Sequence, residues 1–180
     1  MKKTDLLSII TFTFIMLLVT NTNAQKFSKI DKSPLDASFY RADRKSPAFI
    51  KVVYSRPYLK GRSLSELSPN GKVWRTGANE ATDITFYKDM KIGGKNVKAG
   101  TYSLFTIPGE KDWTIILNSE INVWGAYSYN MSKDILRIKA PVSNEDTALE
   151  NFSIAFKKHD NGADMILAWD TTRITVPITK

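Results

Sequence analysis

The chain has 180 residues, 42% of them hydrophobic and 24% charged, with a net charge of +8. That composition fits one globular domain and excludes wholesale disorder. With no cysteine and a single histidine, disulfide scaffolds, cysteine nucleophiles, thiolate metal sites, cysteine-linked lipid anchors and multi-histidine metal sites within one subunit are ruled out. No metal and no cofactor are expected.

Met1-Lys2-Lys3 starts the chain with positive charge, and Leu6 to Val19 is an almost unbroken apolar run. Thr22-Asn23-Ala24 then offers the small residues a signal peptidase reads. We therefore expect a signal peptide over 1–24, cleaved after Ala24, and a periplasmic or secreted protein. The apolar run is shorter than the roughly 20 residues of a membrane span. No later run is longer, so no transmembrane segment is expected after cleavage. The mature chain stays strongly basic, which serves solubility or attracts anionic partners such as acidic glycans and phosphate-bearing lipids. Nucleic acid is a poor candidate outside the cell, and no RNA-binding signature is present.

Residues 25–48 are polar and broken by Ser33-Pro34 and Ser46-Pro47. They read as an irregular lead-in, with one short strand near Ala37–Arg41. The β-rich domain is expected over 49–180. Ile50, Val52 and Tyr54 share one face of a strand, as do Ile84 and Phe86 in the next, followed by a brief strand at Met90–Ile92 and a Gly93-Gly94 turn. Thr101–Ile107 is rich in aromatic and β-branched residues. Trp113, Ile115 and Leu117 alternate with Thr114, Ile116 and Asn118, so this strand is apolar on nearly both faces and should be central. Leu136–Lys139 and Phe152–Lys157 alternate in the same way, and Asn161-Gly162 signals a hairpin into Asp164–Trp169. The last strand, Arg173–Ile178, contains Pro177, which calls for a sheet edge or an outward position. The one helix signal is Ser63-x-x-Glu66, a capping box ahead of Pro69. Eight to ten short strands and no long helix predict an all-β fold, a single antiparallel β-sandwich or flattened barrel.

The least sheet-like stretch of the domain is the loop 56–81. Arg56, Lys60, Arg62, Lys72 and Arg75 outweigh Glu66 and Glu80 there, and long structureless loops tend to be functional. Arginine forks grip carboxylates and phosphates, tryptophan stacks on sugar or aromatic rings, and Asn79 can both donate and accept towards hydroxyls. On the binding reading, Arg56, Arg62 and Arg75 hold an anionic or sugar-like ligand, Trp74 stacks on it, and Asn79 with Glu80 fixes hydroxyls or orients the arginines. On the architectural reading, Trp74 plugs the open end of the sandwich and the arginines pair with acids to tie the loop down. Trp124-Gly125-Ala126-Tyr127-Ser128-Tyr129 carries a similar choice. It is a sugar-stacking platform or, as the preferred reading, a set of core aromatics at a strand-to-loop bend.

Tyr54-Ser-Arg-Pro, Lys60-Gly-Arg, Gly71-Lys-Val-Trp-Arg-Thr-Gly-Ala-Asn-Glu-Ala-Thr82, Ala99-Gly-Thr-Tyr-Ser-Leu-Phe-Thr-Ile-Pro108, Trp124-Gly-Ala-Tyr127 and Ala168-Trp169 resemble a bacterial exported family catalogued as domain of unknown function 2911. The resemblance runs from about Ser33 to the C-terminus. It implies a single exported β-rich domain and no particular activity. It also marks the loop, Trp124 and Tyr127 as positions to watch.

Signatures of known chemistry are missing from the sequence. It contains no nucleophile elbow, phosphate-binding glycine loop, dinucleotide fingerprint or zincin helix. Glu80 and Asp83 are a weak carboxylate pair for glycoside hydrolysis, because residues three apart on a strand point to opposite faces. Asp160-Asn161-Gly162-x-Asp164 is a fragment of a calcium loop that lacks the remaining ligands, and His159 has no nucleophile beside it. The leading expectation is a non-catalytic binding module of the cell envelope. The alternatives are a hydrolase acting on an envelope or extracellular glycan through Glu80, and a structural or partner-binding envelope protein.

Overall fold

Alternating apolar and polar residues give most of the chain a strand period, and strands with one or both faces apolar must stack to bury them. The computed structural model describes residues 25–180; the expected signal at 1–24 lies outside them. The strands are β1 (Leu35–Arg41), β2 (Ala48–Ser55), β3 (Thr82–Phe86), β4 (Met90–Ile92), β5 (Lys95–Val97), β6 (Gly100–Ile107), β7 (Asp112–Asn118), β8 (Asp134–His159) and β9 (Gly162–Thr179). One helical turn, α1 (Leu64–Leu67), follows β2, and a short 3-10 turn, Met131–Lys133, precedes β8. The Ser63 side chain and the Glu66 carboxylate cap α1 reciprocally, as the sequence pattern predicts. Among the described residues no helix is long and apolar enough to cross a membrane.

All nine strands join one antiparallel sheet in the order β1-β2-β3-β6-β7-β8-β9-β4-β5. β8 turns that sheet into two layers. Its first part pairs with β7 as far as Pro141, and from Val142 onward it pairs with β9. The second part of β8 thereby comes to face β1 and β2. Tyr40 meets Phe156 with ring centroids 6.1 Å apart, and Tyr54 meets Phe152 edge-on at 5.8 Å. The Tyr54 hydroxyl accepts from the Ile154 amide at 2.9 Å. Ile50, Val52, Ile84, Leu104, Ile115 and Leu167 fill the space between the layers, each essentially inaccessible. This is the antiparallel sandwich anticipated from the strand pattern.

The chain just past β2 adds a further seam. The Leu59 amide donates to the Glu150 carbonyl and the Phe152 amide to the Pro57 carbonyl, both at 2.9 Å. β8 has backbone groups to offer there because its ladder with β9 is irregular between Asn144 and Ser153. A bulge thus frees one strand edge to close the layers against another.

β7 is central and buried on both faces. Trp113, Ile115 and Leu117 enter the main core. Ile116 lies on the other face in a second, smaller core with Phe105 and Ala81, covered by Val73, Val123, Ala126 and Tyr129.

The structure departs from the sequence expectations in three places. Leu136–Lys139 and Phe152–Lys157 belong to one strand, β8, and the two later segments belong to β9, because the polar stretches between them bulge without turning. The sheet begins at Leu35, inside the stretch read as a lead-in. β5 pairs with β4 across the Gly93-Gly94 turn and is too short and polar to show alternation. Pro177 meets the second of its two alternatives: β9 is flanked by β8 and β4, and Pro177 is exposed, with its carbonyl accepting from the Gly93 amide at 2.9 Å.

The Asn161-Gly162 signal marks a real hairpin, shifted by one residue. Asp160 and Asn161 make the turn, while Gly162 pairs with His159. Gly162 is required by crowding: a Cβ there would run into the Ile178 backbone carbonyl. Gly162→Ala is expected to cost about 1–3 kcal/mol through forced backbone movement, a fall in Tm of about 2–12 °C for a domain of this size. A thermal melt of the variant checks this, and an unchanged Tm would show that the hairpin yields freely.

Candidate functional site

β3 starts only at Thr82, so the last residues of β6 lack a neighbour on that side. The loop 56–81 supplies one. Trp74 pairs with Thr106 in an antiparallel bridge, N–H to O at 2.7 Å one way and 3.0 Å the other. Strand periodicity then sends Trp74 inward and its neighbours outward. Val73 drops onto the small outer core, and Arg75 projects beside it.

Inside, Trp74 is 8% exposed. Its ring stacks on Trp169 at 5.6 Å and 16°, and meets Phe152 at 5.0 Å and Trp113 at 6.0 Å edge-on. The Trp74 ring packs among three core aromatics as the architectural reading has it, while the residue also borders the cleft beside Arg75. Arg56 is likewise occupied. Its guanidinium donates to the Phe152 carbonyl (3.1 Å), Asp36 (2.9 Å) and the Ser153 hydroxyl (2.7 Å), tying β1 and β2 to β8. Arg62 bends back onto the Leu59 and Tyr58 carbonyls of its own turn. Neither Arg56 nor Arg62 lines the cleft that holds Arg75.

That cleft, of about 270 Å³, is lined by Val73, Trp74, Arg75, Ala126 and Tyr127. Its second wall is the segment after β7. The Ala81 amide donates to the Val123 carbonyl, and Glu80 bridges Trp124. Asn79 is left-handed (φ 61°) and turns its carbonyl into the site. There it accepts from the Gly125 amide at 2.9 Å and from Arg75 Nη1 at 3.4 Å. Asn79 therefore contributes a backbone acceptor. Its side-chain amide lies beside Asp31, whose carboxyl is held below its ordinary range chiefly by the Ser33 amide, with Asn79 helping.

Trp124 and Tyr127 stack face to face, 5.4 Å apart and 10° from parallel. They are 61% and 80% exposed, which corrects the preferred reading as core aromatics for these two and leaves it standing for Tyr129, whose ring meets Phe105 edge-on at 5.2 Å. Val123, Ala126 and Tyr129 turn down onto the outer core instead. Gly125 permits this with φ +70°; a Cβ there would meet the Tyr127 ring at 2.7 Å and Arg75 Nη1 at 3.1 Å. Arg75 Cζ lies 5.9 Å from the Trp124 ring centroid. No carboxylate among the described residues pairs with Arg75, and its buried Nε has no partner.

The same segment is anchored from below. Tyr129 donates to Asp134 at 2.6 Å, and Arg137 donates to both at 2.8 and 2.7 Å. Asn118, itself buried, donates to the other Asp134 oxygen and to the Asn130 carbonyl. Burial first, then the bond to Asp134, push the Tyr129 hydroxyl up to about 12. An unfolded tyrosine ionises near 10, so this group's stabilising contribution is complete below about pH 10 and is lost as pH rises through about 12. Tyr129→Phe is expected to flatten that alkaline loss, measured by urea unfolding at a series of pH values; parallel profiles would remove the hydroxyl from the account.

Glu80 is exposed at the lip of the cleft. Asp83 sits within β3 between Val53 and Ser103, half-buried, with burial raising its carboxyl against the opposing pull of Lys51. Among the described residues no group of three or more His, Asp or Glu side chains gathers as a metal site requires. The loop thus divides: Arg75, Asn79 and Glu80 meet Trp124 and Tyr127, while Arg56, Arg62 and the Trp74 ring serve the fold. Sequence reasoning missed Asp31, Val73 and Ala126. The inward alternation of Trp74 could have flagged Val73; nothing local flags the others.

No curated protein and no solved structure matches the chain. The model of a family described as protein of unknown function (DUF2911) matches residues 37–178, from within β1 into β9 and across both walls of the cleft. The chain belongs to the DUF2911 family.

Proposed function

We propose that this is an exported, non-catalytic binding module whose cleft takes a small anionic, sugar-like ligand. One observation carries the reading: an unpaired arginine stands beside two large aromatic rings stacked in solvent. Exposed aromatic surface is costly to leave in water unless something covers it, and a planar platform suits the apolar face of a sugar ring. The Arg75 fork then supplies the charge-assisted bonds that a carboxylate or phosphate substituent needs. Trp124 sits close enough to hold the guanidinium in place by a cation–π contact. The anchored loop beneath keeps the aromatics preorganised, which lowers the ordering cost of binding. A cleft of about 270 Å³ fits one sugar unit or the end of a glycan. The signal-like N-terminus would deliver such a module to the periplasm or the cell exterior, where acidic glycans are found.

The test is a thermal-shift screen against neutral sugars, sugar acids and phosphorylated sugars. A ligand at 100 times its Kd adds about 2.7 kcal/mol, a rise in Tm of about 5–11 °C. Arg75→Ala is expected to weaken a hit about 10–100-fold, as loss of a charge-assisted hydrogen bond of about 1.5–3 kcal/mol requires. A flat panel, together with a strongly destabilised Arg75→Ala, would reassign the loop to architecture.

A further inference from the structure

Four lysines outside the loop 56–81, Lys88, Lys91, Lys98 and Lys180, line adjoining clefts near the other ends of β2 and β3. Ser55 and Thr82 end and start these strands on the Arg75 side; Phe49 and Lys88 lie at their opposite ends. Lys88 Nζ and Lys180 Nζ both approach the Phe49 ring, at 5.2 and 5.5 Å from its centroid. Two adjoining clefts open here. One of about 220 Å³ is lined by Phe49, Lys88, Asp89, Met90 and Lys180. The other, of about 330 Å³, shares the last three and adds Lys91 and Lys98 among its walls. The acidic side chain lining this groove is spent: Asp89 pairs with Lys98 at 2.8 Å and accepts from the Ala99 amide at 2.8 Å. Lys88, Lys91 and Lys180 have no ion-pair partner among the described residues.

Both ammonium groups stand over one ring and neither has a carboxylate partner among the described residues, and a cation–π contact at an exposed site compensates a lysine only weakly. An anion bound here would supply the charge partner that both lack. Lysine offers a mobile point charge without arginine's bidentate fork, which suits a series of spread charges better than one planar carboxylate. Two adjoining clefts lined by four lysines give an extended chain several cations to follow. Asp89 in the middle disfavours a single compact phosphate there, while an extended chain can place its charges on either side.

We infer that this lysine groove docks a linear polyanion of the acidic polysaccharide class, at a site separate from the Arg75 cleft. The probe is fluorescein-labelled heparin, a linear sulfated polysaccharide, titrated against the protein at several salt concentrations. Lys88→Gln/Lys180→Gln is expected to weaken binding about tenfold or more, at about 1 kcal/mol per lysine against an anionic surface. Its salt dependence should flatten by about one to two counterions. Lys72→Gln/Lys111→Gln, which removes the same charge from exposed residues of the loop and the β6–β7 turn, should have a much smaller effect. Lys88→Gln/Lys180→Gln should keep the full thermal shift given by any monosaccharide found in the sugar screen, because neither lysine lines the Arg75 cleft, so this result stands or falls apart from that of the screen. Equal losses in the two double variants would overturn the groove in favour of net charge alone. Anionic phosphatidylglycerol vesicles that depend on Lys88 and Lys180, with heparin binding indifferent to them, would overturn it in favour of a membrane surface.

Discussion

Trp74→Ala is expected to destabilise the protein by about 3–5 kcal/mol, the usual cost of deleting a large buried aromatic. At about 2–4 °C per kcal/mol, Tm should fall by about 6–20 °C. The size of the effect follows from what the ring joins. Trp74 hangs from a backbone bridge to β6, Trp113 belongs to β7, Phe152 to β8 and Trp169 to β9, so one indole contacts residues from both layers. Its removal leaves a void bordered by three rigid rings that cannot collapse without dragging their strands. Thermal unfolding with and without a ligand from the sugar screen separates the two roles of this residue. A variant that keeps its Tm yet loses the ligand would overturn the core assignment.

Arg56→Ala should also act on stability, by about 1–3 kcal/mol, because it strips donors from the buried Phe152 carbonyl and from Ser153. Its ion pair with Asp36 adds little, since both side chains keep substantial contact with water. Arg56→Lys should recover only part of the loss; one ammonium cannot reach three acceptors set in a fork. Arg62→Ala and Arg75→Ala, by contrast, should stay within about 0.5 kcal/mol of the parent. Three arginines of one loop are thus expected to give one stability defect, one silent change and one binding defect. Urea unfolding of the three variants decides it, and a stability defect in Arg75→Ala as large as that in Arg56→Ala would count against the proposed site.

The cleft was only half legible in the sequence. Its basic, aromatic loop stands out by composition, and the glycine–tryptophan–arginine segment draws attention by family resemblance. Which side chain faces the cleft is another matter. Trp74 and Arg75 are adjacent, and their directions are set by pairing with Thr106, a long-range contact that no local pattern encodes. The same holds for Trp124 and Tyr127. Their neighbours Val123, Ala126 and Tyr129 have an apolar face of their own to cover at Phe105 and Ile116, and once they turn down the two larger rings are left outside.

Alternation, turn residues and capping chemistry are local, so the sequence by itself determined an all-β chain, the central place of β7, the hairpin before β9 and the capped turn at Ser63. The joining of four expected segments into β8 and β9, and the closure of Pro57–Leu59 onto β8, depend on bulges that appear only when partner strands compete for backbone hydrogen bonds. Charge divides the same way. The excess of lysine and arginine is a property of composition, but its separation into a clamp at Arg56, an arginine without a carboxylate partner at Arg75 and a lysine cluster by Phe49 was decided by tertiary structure, because only the fold determines which cations find a carboxylate.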